Sequence, residues 1–201
     1  MEGDIMGDWS EFKVSGVTEN TPKNIMLGAG TLYKGLTFKD TKWTGTIIGA
    51  TSGGSKLSIV PEMYDIPIDG VLVKAKGATQ KVGETASIET NMVEVTKDYV
   101  KSTVIGKDGT SVDERFDVIE SKPHIEAGDY IANFGYVGFM TDGTPIIIIF
   151  DNALCSSGFS TEGKNKEAAV FPATFECYAD LSEGNTDTLP YHIYVAKDST
   201  V

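Results

Sequence analysis

Apolar and polar side chains alternate from Phe171 to Leu181. Phe171, Ala173, Phe175, Cys177, Ala179 and Leu181 fall on one parity, and Pro172, Thr174, Glu176, Tyr178 and Asp180 on the other. A strand sends successive side chains to opposite faces, so this run predicts one long strand with a buried side and a polar side. Thr85–Glu94 repeats the pattern, with Ala86, Ile88, Thr90 and Met92 opposed to Ser87, Glu89, Asn91 and Val93. Between Asp129 and Met140 both parities are apolar: Tyr130, Ala132, Phe134 and Tyr136 stand against Ile131, Val137 and Phe139. That predicts a strand covered on both faces. Further strands are expected at Asn24–Phe38, Lys56–Asp69, Val71–Lys76, Arg115–Ser121, Pro145–Ala153, Ser157–Thr161 and Tyr191–Val195.

Turn chemistry punctuates these runs. Asp69-Gly70, Asp108-Gly109 and Asp142-Gly143 are favoured tight-turn pairs. Pro61 and Pro67 cannot donate to a ladder, so their segment belongs at an edge or a bulge. Gly28-Ala29-Gly30 has neither a phosphate-loop Lys nor a following helical pattern, and reads as a bulge or a close backbone approach. One helix is expected after Thr96, which caps it, with Asp98 at the positive end of its dipole and Gly106 as its left-handed terminator. Val95 and Val100 are spaced for a staple, and Val100 and Val104 share a face. Lys39–Ser55 is rich in Gly, Ser and Thr and reads as a loop in which Trp43, Ile47 and Ile48 are stranded. Either it is a loose surface loop or it docks on another subunit, and large apolar groups favour docking.

Composition narrows the function classes. The 201 residues fit one domain with an extension: an acidic arm over residues 1–23, with Glu2, Asp4, Asp8, Glu11 and Glu19, ahead of a β domain from residue 24 to 201. The formal charge of −12 argues against a protein that grips nucleic acid, because phosphate binding needs clustered Lys and Arg. It is compatible with a surface that lets DNA pass. No signal-peptide pattern precedes the arm, and the longest apolar run, Ile146–Phe150, is too short to span a bilayer, so a cytoplasmic, non-membrane origin is expected. Cys155 and Cys177 could pair across neighbouring strands, but Cys177 lies on an apolar face and reads as a small buried hydrophobe.

Catalytic chemistry finds no foothold in the sequence. His124 and His192 are far apart, Arg115 is the sole arginine, and no nucleophile elbow, zinc-protease, Cys-x-x-Cys or Ca²⁺-loop motif occurs. No cofactor, metal or catalytic residue is expected. The chain reads as a structural protein or a binding module.

The order of its segments resembles the major tail proteins, or tail tube proteins, of long-tailed bacteriophages and prophages. The matching pieces are NIMLGAGTLYKGL at 24–36, IIGATSGGSKLSIVPEMYDIPIDGV at 47–71, ETNMVEVTKDYVKS at 89–102, DYIANFGYVGFMTDG at 129–143 and ALCSSGFSTEGKNKEAAVFPATFECYADL at 153–181. The arm before Asn24 has no counterpart in the resemblance. The resemblance implies two orthogonally packed antiparallel sheets, a sandwich or barrel flanked by a short helix. It also implies hexameric rings stacked into a tube, and a lumen that conducts DNA during ejection. The implied location is the virion tail, assembled in the host cytoplasm, and the tube resembles those without a contractile sheath. Implied partners are further copies of the chain and the tape measure, tail terminator and distal tail proteins.

On that pattern Ser87, Glu89 and Asn91, with Glu62 on a neighbouring strand, are expected to face the lumen, and Trp43, Ile47 and Ile48 to form the inter-subunit loop at about 39–55. Six copies at −12 carry −72 per ring (6 × −12), which repels phosphate. The alternative reading is a β-sandwich carbohydrate-binding or adhesin module on a virion or cell surface, with aromatics as sugar platforms; the apolar setting of Phe134 and Tyr136, which reads as buried, weighs against it.

Overall fold

The computed structural model describes residues 15–163, 165–184 and 186–197, with the side chain of residue 183 left aside. Most of the acidic arm, including Glu2, Asp4, Asp8 and Glu11, lies outside the described residues. Among the described residues the fold is mainly β, with one large eight-stranded antiparallel sheet, a small two-stranded sheet and one short helix.

The large sheet runs β2 (Lys42–Ile47), β1 (Met26–Lys39), β7 (Ile131–Met140), β8 (Pro145–Cys155), β9 (Phe171–Cys177), β4 (Thr79–Met92) and β3 (Thr51–Asp65), with β10 (Tyr191–Val195) branching from β8. The branch is a division of labour along one strand. Ile146–Phe150 pair with β10, whereas Ala153–Cys155 pair with β9. Among the described residues the sheet does not close into a barrel, because β2 and β3 stand at its two ends. The small sheet pairs β5 (Lys107–Asp108) with β6 (Ile119–Glu120).

The main core gathers Leu32, Ile88, Met92, Phe134, Tyr136, Ile148, Phe150, Ala173, Phe175 and both cysteines. Phe134 and Phe175 touch at a centroid distance of 4.5 Å. A second cluster on the other side of β8 collects Leu36, Ile147 and Ile149 with Tyr33, Trp43 and Val137. The consecutive isoleucines therefore serve two cores, as expected for a strand covered on both faces.

Several expected elements have different limits. The strand expected from Phe171 to Leu181 ends at Cys177; Asp180 instead accepts from the Ser182 amide and opens a 3-10 turn over Leu181–Glu183. A short polar side chain bonding its own backbone competes with the ladder despite the alternation. The helix (α1, Lys97–Val104) is capped by Thr96, whose hydroxyl accepts from the Tyr99 amide, as expected. Its left-handed terminator is Ile105, at φ 51°, rather than Gly106. Gly106 is needed for space: a Cβ there would lie 2.5 Å from Ile119 Cγ2. The buried helix positions are Tyr99 and Thr103, while Val104 is exposed. Arg115–Ser121 contributes only the two residues of β6, and Ser157–Thr161 forms no strand.

The Lys39–Ser55 segment is largely strand. It turns at Asp40-Thr41, returns as β2 against β1, and enters β3 at Thr51. Its Thr and β-branched residues satisfy a pleated surface, which their Gly-rich company obscured. Asp69-Gly70 does turn, with the Val71 amide bonding the Ile68 carbonyl, but it closes no ladder. The paired strands of that hairpin are β3 and β4, and the register ends at Asp65 opposite Thr79.

Candidate functional site: a polar sheet face and a projecting hairpin

Register brings the four expected lumen residues together. On β4 the even positions Ala86, Ile88, Thr90 and Met92 are buried, so Thr85, Ser87, Glu89 and Asn91 project from the opposite face. Glu89 stands opposite Lys56, Ser87 opposite Ser58 and Gly83 opposite Glu62, which puts Glu62 on that same face. On the other side of β4, Ser87 pairs with Glu176, Glu89 with Thr174 and Asn91 with Pro172. Glu62, Glu89 and Asn91 are exposed and Ser87 is half-buried.

Three strands thus present a polar patch with three glutamates against Lys56, which bonds Glu89 at 2.8 Å. Both side chains of that pair are well exposed, so it contributes little to stability. Glu176, outside the expected set, accepts from Ser156 at 2.7 Å on the same face. The alternation of Phe171–Cys177 had already placed it on the polar parity; only its pairing with Ser87 shows which patch it joins.

The expected inter-subunit trio separates. Trp43 is half-buried in the second core, edge-on to Tyr194 at 5.0 Å and tilted against Phe38 at 5.3 Å. Ile48 packs against the main core, and its amide bonds the Leu32 carbonyl. Only Ile47 is exposed, at 57%. Two of the three groups therefore already have partners within the chain.

The stranded apolar groups lie elsewhere. β3 and β4 continue past the main core as a hairpin whose distal half exposes Val60, Met63, Tyr64 and Val82. Its tip exposes Ile66, Ile68, Val71, Leu72 and Val73, with Leu72 97% and Val73 77% accessible. The glutamate-free stretch IPIDGVLV at the tip carried this signal in the sequence, but the expected Asp69-Gly70 ladder would have paired it. The tip is held at its base by Asp65, which bonds Lys74 at 2.9 Å and accepts from Thr79 at 2.6 Å. Lys74 and Thr79 together hold the Asp65 carboxyl below its usual pKa.

A groove of about 790 Å³ opens between α1, the end of β2 and the start of β7. Ile48, Tyr99, Tyr130 and Ile131 contribute apolar lining, and Lys34, Lys97 and Lys101 line it from the polar side. Lys34 bonds Asp98, and Lys97 spans Asp108 and Asp117.

Among the described residues no His, Cys, Asp and Glu cluster could hold a metal ion, and no helix is long and apolar enough to cross a membrane. Cys155 and Cys177 are both free and buried, and burial foremost pushes the Cys177 thiol up to about 12, which keeps it an inert thiol. His192 rests 3.3 Å from Asp151 on the outer strand β10. No family model matches the chain, and no curated protein matches it.

Proposed function

We propose that the chain is a tube-forming structural subunit of a long phage tail, assembling as stacked hexameric rings around a DNA-conducting lumen. The observation that carries this reading is the β3–β4 hairpin. It extends past its own core and exposes a run of large apolar side chains at the tip. Such surface is costly in a monomer and is covered in an assembly.

In this reading the two orthogonal sheets of the family correspond to the β2-β1-β7-β8-β10 part of the large sheet and to its β9-β4-β3 part. An open sheet with ends at β2 and β3 becomes a barrel only by joining its neighbours. The polar patch around Glu62, Ser87, Glu89 and Asn91 faces the channel, where its excess of glutamate repels phosphate. The hairpin replaces Lys39–Ser55 as the element that reaches neighbouring subunits. The tape measure, terminator and distal tail proteins are the partners expected at the ends of such a tube.

Two of the aromatic pairs give a carbohydrate module little to bind. Trp43 meets Tyr194 at 72° and Tyr130 meets Tyr178 at 72°, so neither pair offers a flat shared platform for a sugar ring. Negative-stain electron microscopy of the concentrated protein tests the reading. Rings or tubes with sixfold end views are expected; a chain that stays monomeric and binds glycans would overturn it.

A further inference from the structure

The dipeptide Asp-Gly occurs three times, at 69–70, 108–109 and 142–143. In such a pair the following amide nitrogen can close a ring on the aspartate Cγ, and glycine has no side chain to block the attack. The three pairs are chemically alike in sequence. Their surroundings are not.

At two of them both reacting groups are engaged. The Gly109 amide donates to the Val118 carbonyl at 2.8 Å, and the Asp108 carboxylate is bonded by Lys101 at 2.6 Å and Lys97 at 3.2 Å. The Gly143 amide donates to the Met140 carbonyl at 2.9 Å, and the Asp142 carboxylate accepts from the Thr144 amide at 2.9 Å. These bonds hold both carboxyls below the usual aspartate pKa, with Lys101 the main cause at Asp108 and Thr144 at Asp142. They favour the ionised form, which is a poor electrophile. At the hairpin tip neither group is engaged. Among the described residues the Gly70 amide has no acceptor, and the Asp69 carboxylate has no hydrogen-bond or ion-pair partner. Both residues are exposed, and the last ladder pair below them is Asp65 opposite Thr79.

We propose that Asp69-Gly70 is a self-modification site, at which aspartate converts to isoaspartate in the free chain. The Gly70 nitrogen attacks Cγ of the protonated Asp69 carboxyl; the amide proton and the carboxyl hydroxyl leave as water, and a cyclic imide forms. Water then adds back at either imide carbonyl. Addition at Cγ restores aspartate. Addition at the main-chain carbonyl breaks its bond to the Gly70 nitrogen and leaves the chain running through Cγ. No atom is gained or lost overall, and nothing is oxidised or reduced. The product carries an extra methylene in the main chain and its carboxylate on Cα, inside the turn that the Val71 amide now closes on the Ile68 carbonyl at 3.1 Å. The turn that presents Leu72 and Val73 is thereby reshaped. Where a neighbour covers the tip the reaction is slowed, so modified chains accumulate outside the tube. That consequence rests on the tube reading; the modification itself does not.

Peptide mapping of the full-length chain tests this. A dilute sample is aged in mildly acidic buffer and cut with a protease that cleaves before aspartate but not before isoaspartate. The other two sites must first open their hydrogen bonds, so isoaspartate at 69–70 is expected to exceed that at 108–109 and 142–143 by about tenfold. In urea the three sites are expected to converge. Equal fractions in the folded chain overturn the proposal. So does an excess at Asp69 that persists in urea, because the flanking sequence would then be its cause. Asp69→Glu, whose longer side chain does not close the ring, is expected to remove the signal with the fold intact; a signal that survives places the modification elsewhere. The same mapping on assembled tubes separates this inference from the tube reading. Protection of Asp69 there supports both. Modification as fast as in the free chain supports the site and removes the tip from the subunit contact. A free chain that stays unmodified at Asp69 overturns the site and leaves the tube reading standing.

Discussion

The Tyr191 hydroxyl reaches across from β10 to donate to Oε1 of Glu84 on β4, at 3.1 Å. The same oxygen accepts from Lys81 at 2.8 Å, and the Glu84 side chain is 8% exposed. β10 has ladder bonds only to β8, so this bond ties the last described strand to the other arm of the sheet. Tyr191→Phe keeps the ring and removes the donor. It is expected to cost about 1 kcal/mol in urea unfolding. The Lys81 and Tyr191 bonds outweigh burial and hold the Glu84 carboxyl below its usual pKa. Its contribution is therefore present above the ordinary glutamate value and lost as pH falls through the lowered one. Tyr191→Phe should shrink the acid-side loss of stability; an unchanged acid limb would remove Glu84 from the account.

Gly30 sits where two requirements coincide. Its φ is +71°, and a Cβ there would lie 2.2 Å from Cε2 of Tyr136, a ring that is itself buried in the main core. Gly28, also at positive φ, has open space around it. Gly30→Ala should therefore destabilise by about 2 kcal/mol or more, combining backbone strain with overpacking. Gly28→Ala should cost about 1 kcal/mol, from strain alone. Equal costs in chemical denaturation would show that the Tyr136 contact is not what selects glycine.

Lys122 and Asp129 form a largely buried pair at 2.6 Å, with side chains 8% and 10% exposed. Asp129 also accepts from the Glu126 amide, and Lys122 reaches Glu126 at 3.0 Å. Burial works to raise the Asp129 pKa, but the Lys122 and Glu126 hydrogen bonds outweigh it and the net direction is down. The Asp129 bond, ahead of burial, raises the Lys122 pKa. The two signs define a wide window. The Asp129 share is lost as pH falls through a value below the usual aspartate range, and the Lys122 share as pH rises beyond the usual lysine range. Asp129→Asn should lower the melting temperature at neutral pH and flatten its decline in acid. A melting curve that keeps the wild-type acid dependence would contradict this assignment.

How far the fold was legible follows from which interactions fix each element. Thr96 as a cap, Asp142-Gly143 as a turn and Tyr191–Val195 as a strand depend on neighbouring residues, and all three stand where the sequence puts them. The buried parity of Thr85–Glu94 is equally local, and it carried Ser87, Glu89 and Asn91 to one face without knowledge of the fold. The sequence pattern leaves Trp43 stranded because its partner, Tyr194, is about 150 residues away, and no local pattern announces that contact. The projecting hairpin was missed for a related reason. Glu62 opposes Gly83 but Met63 opposes Lys81, so Val82 is an extra residue on β4 and alternation read along that strand loses phase near the tip.

That difference between Trp43 and the hairpin tip gives the most direct experiment on assembly. Leu72 and Val73 are exposed and contribute little to the core, so Leu72→Ser with Val73→Ser should change unfolding free energy by about 0.5 kcal/mol or less. The same pair should abolish ring or tube formation, seen as a single monomer peak in light scattering coupled to gel filtration. Trp43 packs on Phe38 and Tyr194 within the chain, so Trp43→Ala should cost about 2 kcal/mol or more and act on assembly only through lost folding. A stable Trp43→Ala protein that folds but cannot assemble, beside a hairpin variant that assembles normally, would return the inter-subunit role to Lys39–Ser55. The opposite pairing places it on the tip of β3 and β4, where the exposed apolar surface already is.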